Sequence, residues 1–188
     1  MPMNLPNLVT LLRIVLIPLI VAVFYLPDAW LGPEGRNIAA TAIFIVAALS
    51  DWLDGYLARK LNQMSAFGAF FDPVADKLVV VGALIVLLTL GRVDMVVGLI
   101  IIGREIAISA LREWMAQIGQ AKSVAVAYIG KLKTTLQMIA IPLLLFDDRL
   151  LGVLDCHALG TALIYVAAVL TVMSMLYYLR KALPLAKA

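Results

Sequence analysis

The sequence has little of what disulfide-bonded, metal-chelating or nucleic-acid-binding proteins use. Its 188 residues include one cysteine, Cys156, which excludes an internal disulfide, and one histidine, His157, which cannot form a histidine-based metal site alone. Charged residues make up only 14% of the chain, and the net charge is +3. The sequence contains no basic stripe with interleaved aromatic residues, so we expect no nucleic-acid partner.

Apolar residues, in contrast, are abundant. They make up 64% of the chain, and the mean hydropathy is +1.03. A soluble domain of this size cannot bury that much apolar surface. We therefore predict an all-α integral membrane protein that forms a single domain over residues 1–188, with its first apolar run retained rather than cleaved as a signal peptide. Segments long enough to cross a bilayer as helices lie at residues 5–25, 38–61, 72–90, 95–118, 124–146 and 159–183.

The basic residues predict how these six helices are oriented. With the N-terminus in the cytoplasm, all but three of the 15 Lys and Arg residues lie on or toward the cytoplasmic side, the exceptions being Arg36, Arg92 and Arg149. This distribution agrees with the positive-inside rule and places both termini in the cytoplasm. Charged residues within the helices cannot face lipid, so we expect them to line a polar cavity open to the cytosol.

Four aspartates are concentrated in the second and third predicted helices. Asp51 and Asp54 are three residues apart and share one helix face, and Asp72 and Asp76 are four apart and share a face of the next helix. A short turn joins the helices, so all four carboxylates can reach one point. Carboxylates this close stay ionised only beside cations. Oxygen-only ligation suits Mg²⁺ or Mn²⁺, and we expect a pair of such ions as cofactors.

Small and basic residues accompany the aspartates. Gly55 and Ala58 extend the face of the first aspartate pair and leave a slot where a base or sugar could approach the backbone. Gly68 lies one turn before the second pair, and Arg59 can bind phosphate through two parallel hydrogen bonds. The alternative role for the small residues is to permit close packing between helices. The neighbouring acids favour a binding site over packing, because ionised side chains within membrane helices are rare.

The whole pattern resembles the signature of the CDP-alcohol phosphotransferases. It matches that signature at every position and spacing, Asp51-x2-Asp54-Gly55-x2-Ala58-Arg59-x8-Gly68-x3-Asp72-x3-Asp76. The six-helix layout is also similar, so the resemblance covers essentially the whole chain. It implies an enzyme that transfers a phosphatidyl or similar group from a CDP-linked donor to the hydroxyl of an acceptor alcohol.

The resemblance also implies roles for individual residues. Asp51, Asp54 and Asp72 would bind metal, and Asp76 would be a further ligand and the base that accepts the proton of the acceptor hydroxyl. The CDP moiety would be held by the residues between and beside these acids, Asp51, Asp54, Gly55, Ala58, Arg59 and Gly68. We add Asn7 and Thr10 to the CDP site, because with Arg13 they recur every three residues and place polar groups on one face of the first helix.

A group of basic residues on the fourth and fifth helices indicates the acceptor. We assign an acceptor-phosphate site to Arg104, Arg112, Lys131, Lys133 and Thr134. A basic lining suits an alcohol that carries its own phosphate. The alternative is that these cations pair with Glu105, Glu113 or the aspartates, or extend to lipid headgroups at the interface.

Residues 102–106, 109–116 and 130–138 resemble the bacterial phosphatidylglycerophosphate synthases within this family. That similarity implies CDP-diacylglycerol and sn-glycerol 3-phosphate as substrates, phosphatidylglycerophosphate and CMP as products, and a location in the bacterial cytoplasmic (inner) membrane. A homodimer is a family expectation. Two alternatives stay open: another acceptor, such as phosphatidylglycerol in cardiolipin synthesis, and a cation or proton transporter, which would also place acids within helices.

Overall fold

The computed structural model describes residues 5–61, 66–119, 128–150 and 152–182. These residues form six α-helices and one short β-hairpin in the connection between α5 and α6, with strands β1 and β2 paired antiparallel. The elements in chain order are α1 Leu5–Val23, α2 Pro33–Lys60, α3 Ala66–Thr89, α4 Met95–Gln117, α5 Tyr128–Phe146, β1 Arg149–Leu150, β2 Leu154–Asp155 and α6 Cys156–Ala182. The predicted helical fold is confirmed, and the hairpin is a correction to the all-α assignment. Its strands are two residues each, too short for an alternating pattern to reveal.

Three helices begin earlier than the sequence pattern predicted, among them α6, which begins at Cys156 rather than at residue 159. The third helix was predicted to begin at Asp72, yet α3 begins at Ala66 and contains Pro73. Asp72 and Asp76 therefore lie within the helix rather than at its start. The second predicted helix began at residue 38, whereas α2 begins at Pro33. Proline suits a first helical position, since its φ is already helical and its missing N–H needs no partner there. Residues 124–127 of the fifth predicted helix lie outside the described ranges.

Helix α1 packs against both α2 and α3, while α6 packs against α4 and α5. Glycines permit two of these close approaches. A Cβ atom at Gly82 would lie 2.8 Å from Ile17 of α1, and one at Gly160 would lie 2.8 Å from Leu144 of α5. Small residues at such contacts let helix backbones approach and pack without a hydrophobic driving force from water.

The two halves of the bundle have different interiors. Large apolar side chains fill one half, among them Ile20, Phe44, Leu84, Ile101 and Ile141. The buried polar and charged side chains are Asn7, Thr10, Arg13, Ser50, Asp54, Arg104, Lys133, Gln137, Thr171 and Ser174. The polar residues fall early in α1 and α5, late in α2 and α6, and near the middle of α4. The contact of Arg13 with Asp54, near the end of α2, and the cavity shared by Arg13, Arg104 and Lys133 gather these groups at one end of the bundle.

Arg92 ties the helices together at the opposite end. Its guanidinium donates to the carbonyl oxygens of Leu144 and Leu145 at 3.2 and 2.9 Å, and to Oδ1 of Asn37 at 2.9 Å. It also forms an ion pair with Asp147 at 2.9 Å. Burial lowers the pKa of Arg92, and the carboxylate of Asp147 opposes that shift. The cation satisfies the last carbonyls of α5 and joins α2 to that helix end.

Two of the described helices are long and apolar enough to cross a membrane, α2 over Pro33–Tyr56 and α6 over Cys156–Arg180. Shorter apolar stretches lie at Asn7–Val23 and Leu132–Phe146. Large apolar side chains such as Val15, Leu99 and Val169 are exposed on the outside of the bundle. These features are typical of helices in contact with lipid. That all six helices cross the membrane, with both termini in the cytoplasm, stays a prediction.

Candidate active site

The carboxylates of α2 and α3 converge on one side chain of α1. Arg13 is only 1% exposed, and its Nη2 lies 2.5 Å from Oδ2 of Asp54. Its Nη1 lies 3.2 Å from Oδ1 of Asp51 and also forms an ion pair with Asp76. Asp54 is buried, whereas the side chains of Asp51 and Asp76 are 51% and 45% exposed. One guanidinium thus contacts three of the four predicted acids, and two of these acids remain accessible.

Thr10 brings the fourth acid into the same cluster. Its hydroxyl oxygen lies 2.8 Å from Oδ1 of Asp72 and 3.2 Å from Oδ2 of Asp54. A hydroxyl has one proton and donates to one carboxylate at a time, and the shorter distance favours Asp72. Asn7 is buried one turn earlier on the same helix. The three-residue spacing in α1 therefore places a polar face between α2 and α3.

The remaining residues assigned to the CDP site lie in α2 and α3. Gly55 is partly buried in α2, and Gly68 is buried near the start of α3. Ala58 and Arg59 belong to α2, but their side chains lie outside the described part of the structure. The assignment of these four residues to nucleotide binding stays a prediction.

The donor set fits a hard divalent cation in chemistry, since every converging acid offers only oxygen atoms. As the side chains lie, however, the described residues contain no group of three or more His, Cys, Asp and Glu that could hold one ion. The guanidinium of Arg13 lies among Asp51, Asp54 and Asp76, and its single positive charge offsets part of their negative charge. Ligation of a shared ion would therefore require Arg13 to give up contacts with these acids.

A second charged cluster joins α4 to α5. Oε1 of Glu105 accepts hydrogen bonds from Nη1 of Arg104 and from Nζ of Lys133, each at 2.7 Å. Arg104 and Lys133 are buried, and Lys133 is among the largest fully buried side chains. Pairing with Glu105, one of the alternatives raised by the sequence, is thus observed for both cations. A buried ion pair alone is weak grounds for a purely structural role, because its desolvation cost can exceed the attraction.

The two charged clusters face one cavity of about 540 Å³. Asp51, Asp76 and Arg13 line one part of it, and Arg104 and Lys133 line another. Lining residues outside the predicted site include Lys77, Glu105, Gln137 and Tyr178. We call the part of the cavity at Asp51 and Asp76 the acidic wall, and the part at Arg104, Arg112 and Lys133 the basic wall. A space of this size can hold a small ligand in contact with both walls at the same time.

Three further residues were predicted to bind the acceptor phosphate, and the structure describes the side chains of two of them. Arg112 and Thr134 line the cavity. The hydroxyl of Thr134 donates to the carbonyl oxygen of Gly130 at 2.9 Å, within its own helix. Lys131 lies in α5, but its side chain is outside the described residues, so its predicted role is not addressed by the structure.

Sequence reasoning gave no site role to Arg13, Glu105 or Tyr178. Arg13 was visible as part of the polar face of the first helix, and Glu105 was visible beside Arg104. Neither pattern shows which helix the side chain meets, which is why the contact of Arg13 with Asp54 went unpredicted and the pairing of Lys133 with Glu105 stayed only one of the alternatives. Tyr178 belongs to no motif and carries no sequence pattern that would have identified it.

Comparison with known proteins decides the family. The family model described as CDP-alcohol phosphatidyltransferase matches residues 3–173. The chain belongs to this family. The predicted resemblance is confirmed, and the apolar helices together with the family identify a membrane protein.

Relatives in this CDP-alcohol phosphatidyltransferase family cover nearly the whole chain. Proteins named CDP-diacylglycerol–glycerol-3-phosphate 3-phosphatidyltransferase from Escherichia coli (strain K12) and Shigella flexneri are each 48% identical over 190 residues. A protein of the same name from Salmonella choleraesuis is 47% identical. Each alignment covers 97% of this chain and 96% of the relative.

Proposed function

We propose that this protein transfers the phosphatidyl group of CDP-diacylglycerol to sn-glycerol 3-phosphate, forming phosphatidylglycerophosphate and CMP. The names of relatives 48% identical over nearly the full length support this reaction. The observation that carries it in the structure is a single cavity lined by Asp51 and Asp76 at one part and by Arg104, Arg112 and Lys133 at another. That arrangement suits a donor diphosphate bound through cations beside an anionic acceptor bound directly.

The acidic wall would act on the donor. Asp51, Asp54 and Asp72, with Asp76, would hold Mg²⁺ or Mn²⁺, and a pair of such ions supplies positive charge to the diphosphate and to the departing CMP. Asn7, Gly55, Ala58, Arg59 and Gly68 would surround the nucleotide. Thr10 would also belong to the nucleotide site, with its hydroxyl donating to Asp72 and lying 3.2 Å from Asp54. The acyl chains of the donor would stay in the bilayer.

The basic wall would act on the acceptor. Arg104, Arg112 and Lys133, with Lys131 and Thr134, would bind the phosphate of sn-glycerol 3-phosphate and aim its terminal hydroxyl at the β-phosphorus of the donor. Asp76, which is partly exposed to the cavity, would accept the hydroxyl proton. The hydroxyl oxygen forms a bond to phosphorus as the bond from phosphorus to the CMP oxygen breaks, and CMP leaves with the electron pair.

The same proposal includes a membrane topology. All six helices would cross the bacterial inner membrane as one domain over residues 1–188, with both termini and the cavity at the cytosolic side. The gathering of the polar groups at one end of the bundle supports this orientation. Association of two copies stays a family expectation.

Release of CMP from CDP-diacylglycerol by the purified protein tests the reaction. With Mg²⁺ present, we expect release with sn-glycerol 3-phosphate, and little with glycerol, serine, inositol or phosphatidylglycerol. A chelator should stop release, and added Mg²⁺ or Mn²⁺ should restore it.

Three other results would contradict parts of the proposal. Release that depends on phosphatidylglycerol would contradict the acceptor and favour cardiolipin synthesis. Release that persists in the chelator would contradict the metal cofactor. No release with any alcohol, together with ion flux in proteoliposomes, would favour a transporter.

A further inference from the structure

Glu105 lies between the two cations assigned to the acceptor phosphate. A single oxygen, Oε1, accepts from the Arg104 guanidinium and the Lys133 ammonium at 2.7 Å each. Arg104 and Lys133 are buried, while the side chain of Glu105 is 20% exposed and lines the cavity. The carboxylate therefore pairs with two buried cations, offsetting one of their two charges, from a position that an incoming ligand can reach.

The contacts of Glu105 are those that a phosphate oxygen would make. Guanidinium and ammonium donors bind carboxylate and phosphate oxygens at similar distances, through the same charge-assisted hydrogen bonds. Arg104 also has a buried Nε with no hydrogen-bond partner among the described residues. Glu105 thus leaves part of the donor capacity of Arg104 unused. A tetrahedral phosphate, with more oxygens than a carboxylate, could use the same donors and additional ones.

The local charge also fits a phosphate monoester. Of the cations assigned to the acceptor, Arg104, Arg112 and Lys133 line the cavity and contribute three positive charges, and Glu105 offsets one. The sum of +2 matches a phosphate monoester, which carries about −1.5 to −2 at neutral pH. Without Glu105 the wall would hold an excess positive charge beside such an anion.

We propose that Glu105 is a positioning residue that serves as the internal counter-ion of the acceptor site. It holds Arg104 and Lys133 where the acceptor phosphate needs them and yields them to that phosphate on binding. Acceptor binding is then an exchange of anions, which limits affinity and lets the product, which carries the same phosphate, leave. This inference rests on the proposed function, since it assigns the phosphate to these cations.

Glu105→Gln tests the exchange, because glutamine keeps the size and a hydrogen-bonding oxygen but removes the competing charge. Inorganic phosphate is the probe, measured as an inhibitor of CMP release. We expect its inhibition constant and the KM for sn-glycerol 3-phosphate to fall on the order of tenfold, the effect of about 1.4 kcal/mol. The kcat should also fall, because the product phosphate is held more tightly. A purely structural role would weaken phosphate binding instead.

Two further variants complete the experiment. Glu113→Gln removes the same charge from an exposed position on α4 and should leave the inhibition constant of phosphate unchanged. Glu105→Asp keeps the charge, so its inhibition constant should stay close to that of the wild type even if Glu105→Gln does not fold. Tightening in Glu105→Asp equal to that in Glu105→Gln would show that charge is not the cause and would overturn the inference.

The inference and the proposed function fail in different ways. An active wild type combined with an unchanged or raised inhibition constant in Glu105→Gln would overturn the role of Glu105 alone. A wild type that releases no CMP with sn-glycerol 3-phosphate would contradict the proposed function itself.

Discussion

Replacing Asp76 with asparagine should lower the rate of phosphatidyl transfer by about 10³-fold, within the range for loss of a general base. Asparagine keeps the shape of the side chain and an oxygen for the Arg13 guanidinium, but it cannot take the proton of the acceptor hydroxyl. Arg13 retains Asp51 and Asp54 as partners, so the protein should still fold. CMP release at saturating Mg²⁺ measures the rate, and calorimetric titration with CDP measures nucleotide binding, which should persist.

Asp28→Asn is a matched control for this variant. Asp28 is an exposed aspartate that pairs with Arg36 in the loop after α1, away from the cavity. Exposed ion pairs contribute little stability, so this change should leave transfer and unfolding temperature near those of the wild type. Near-normal turnover in Asp76→Asn would show that another group accepts the proton.

Replacing Lys133 with methionine should raise the KM for sn-glycerol 3-phosphate roughly 10- to 100-fold, the effect of losing one hydrogen bond to a charged group. Methionine fills the same buried space without the ammonium. Glu105 keeps its hydrogen bond from Arg104, which limits the loss of stability. The KM for CDP-diacylglycerol should change little, because the donor is assigned to the acidic wall. Initial rates of CMP release, with each substrate varied in turn, give both constants.

Arg180→Met controls for the loss of a basic residue. Arg180 is exposed near the end of α6 and is not among the residues that line the cavity. Its substitution should leave both KM values unchanged. A loss in Lys133→Met that is equal for the two substrates would refute the division of the cavity into donor and acceptor walls.

The sequence predicted the helices and the polar face of each helix, because apolar length and three- to four-residue spacing are local properties. It did not predict that Arg13 meets acids on both α2 and α3, since that contact depends on how α1 packs. The start of α3 was predicted at Asp72 and was wrong: the helix begins at Ala66, and Pro73 lies inside it. The pairing of Lys133 with Glu105 was one of two open readings, and only the approach of α5 to α4 decides it.

We propose that the acids of α2 and α3 share a divalent ion. As the side chains lie, Arg13 occupies the space among three of them, so binding of the ion requires the guanidinium to be displaced. Substitution of Asp54, the most buried of the acids that contact Arg13, should abolish the site.

Anomalous X-ray scattering from crystals grown with Mn²⁺ measures the position of the ion directly. We expect a peak within about 2.5 Å of carboxylate oxygens from both helices, including Asp54 and Asp72, with Arg13 moved away. The peak should be absent in Asp54→Asn. A peak elsewhere, or no peak while Arg13 still binds the acids in protein that transfers at full rate, would contradict the claim.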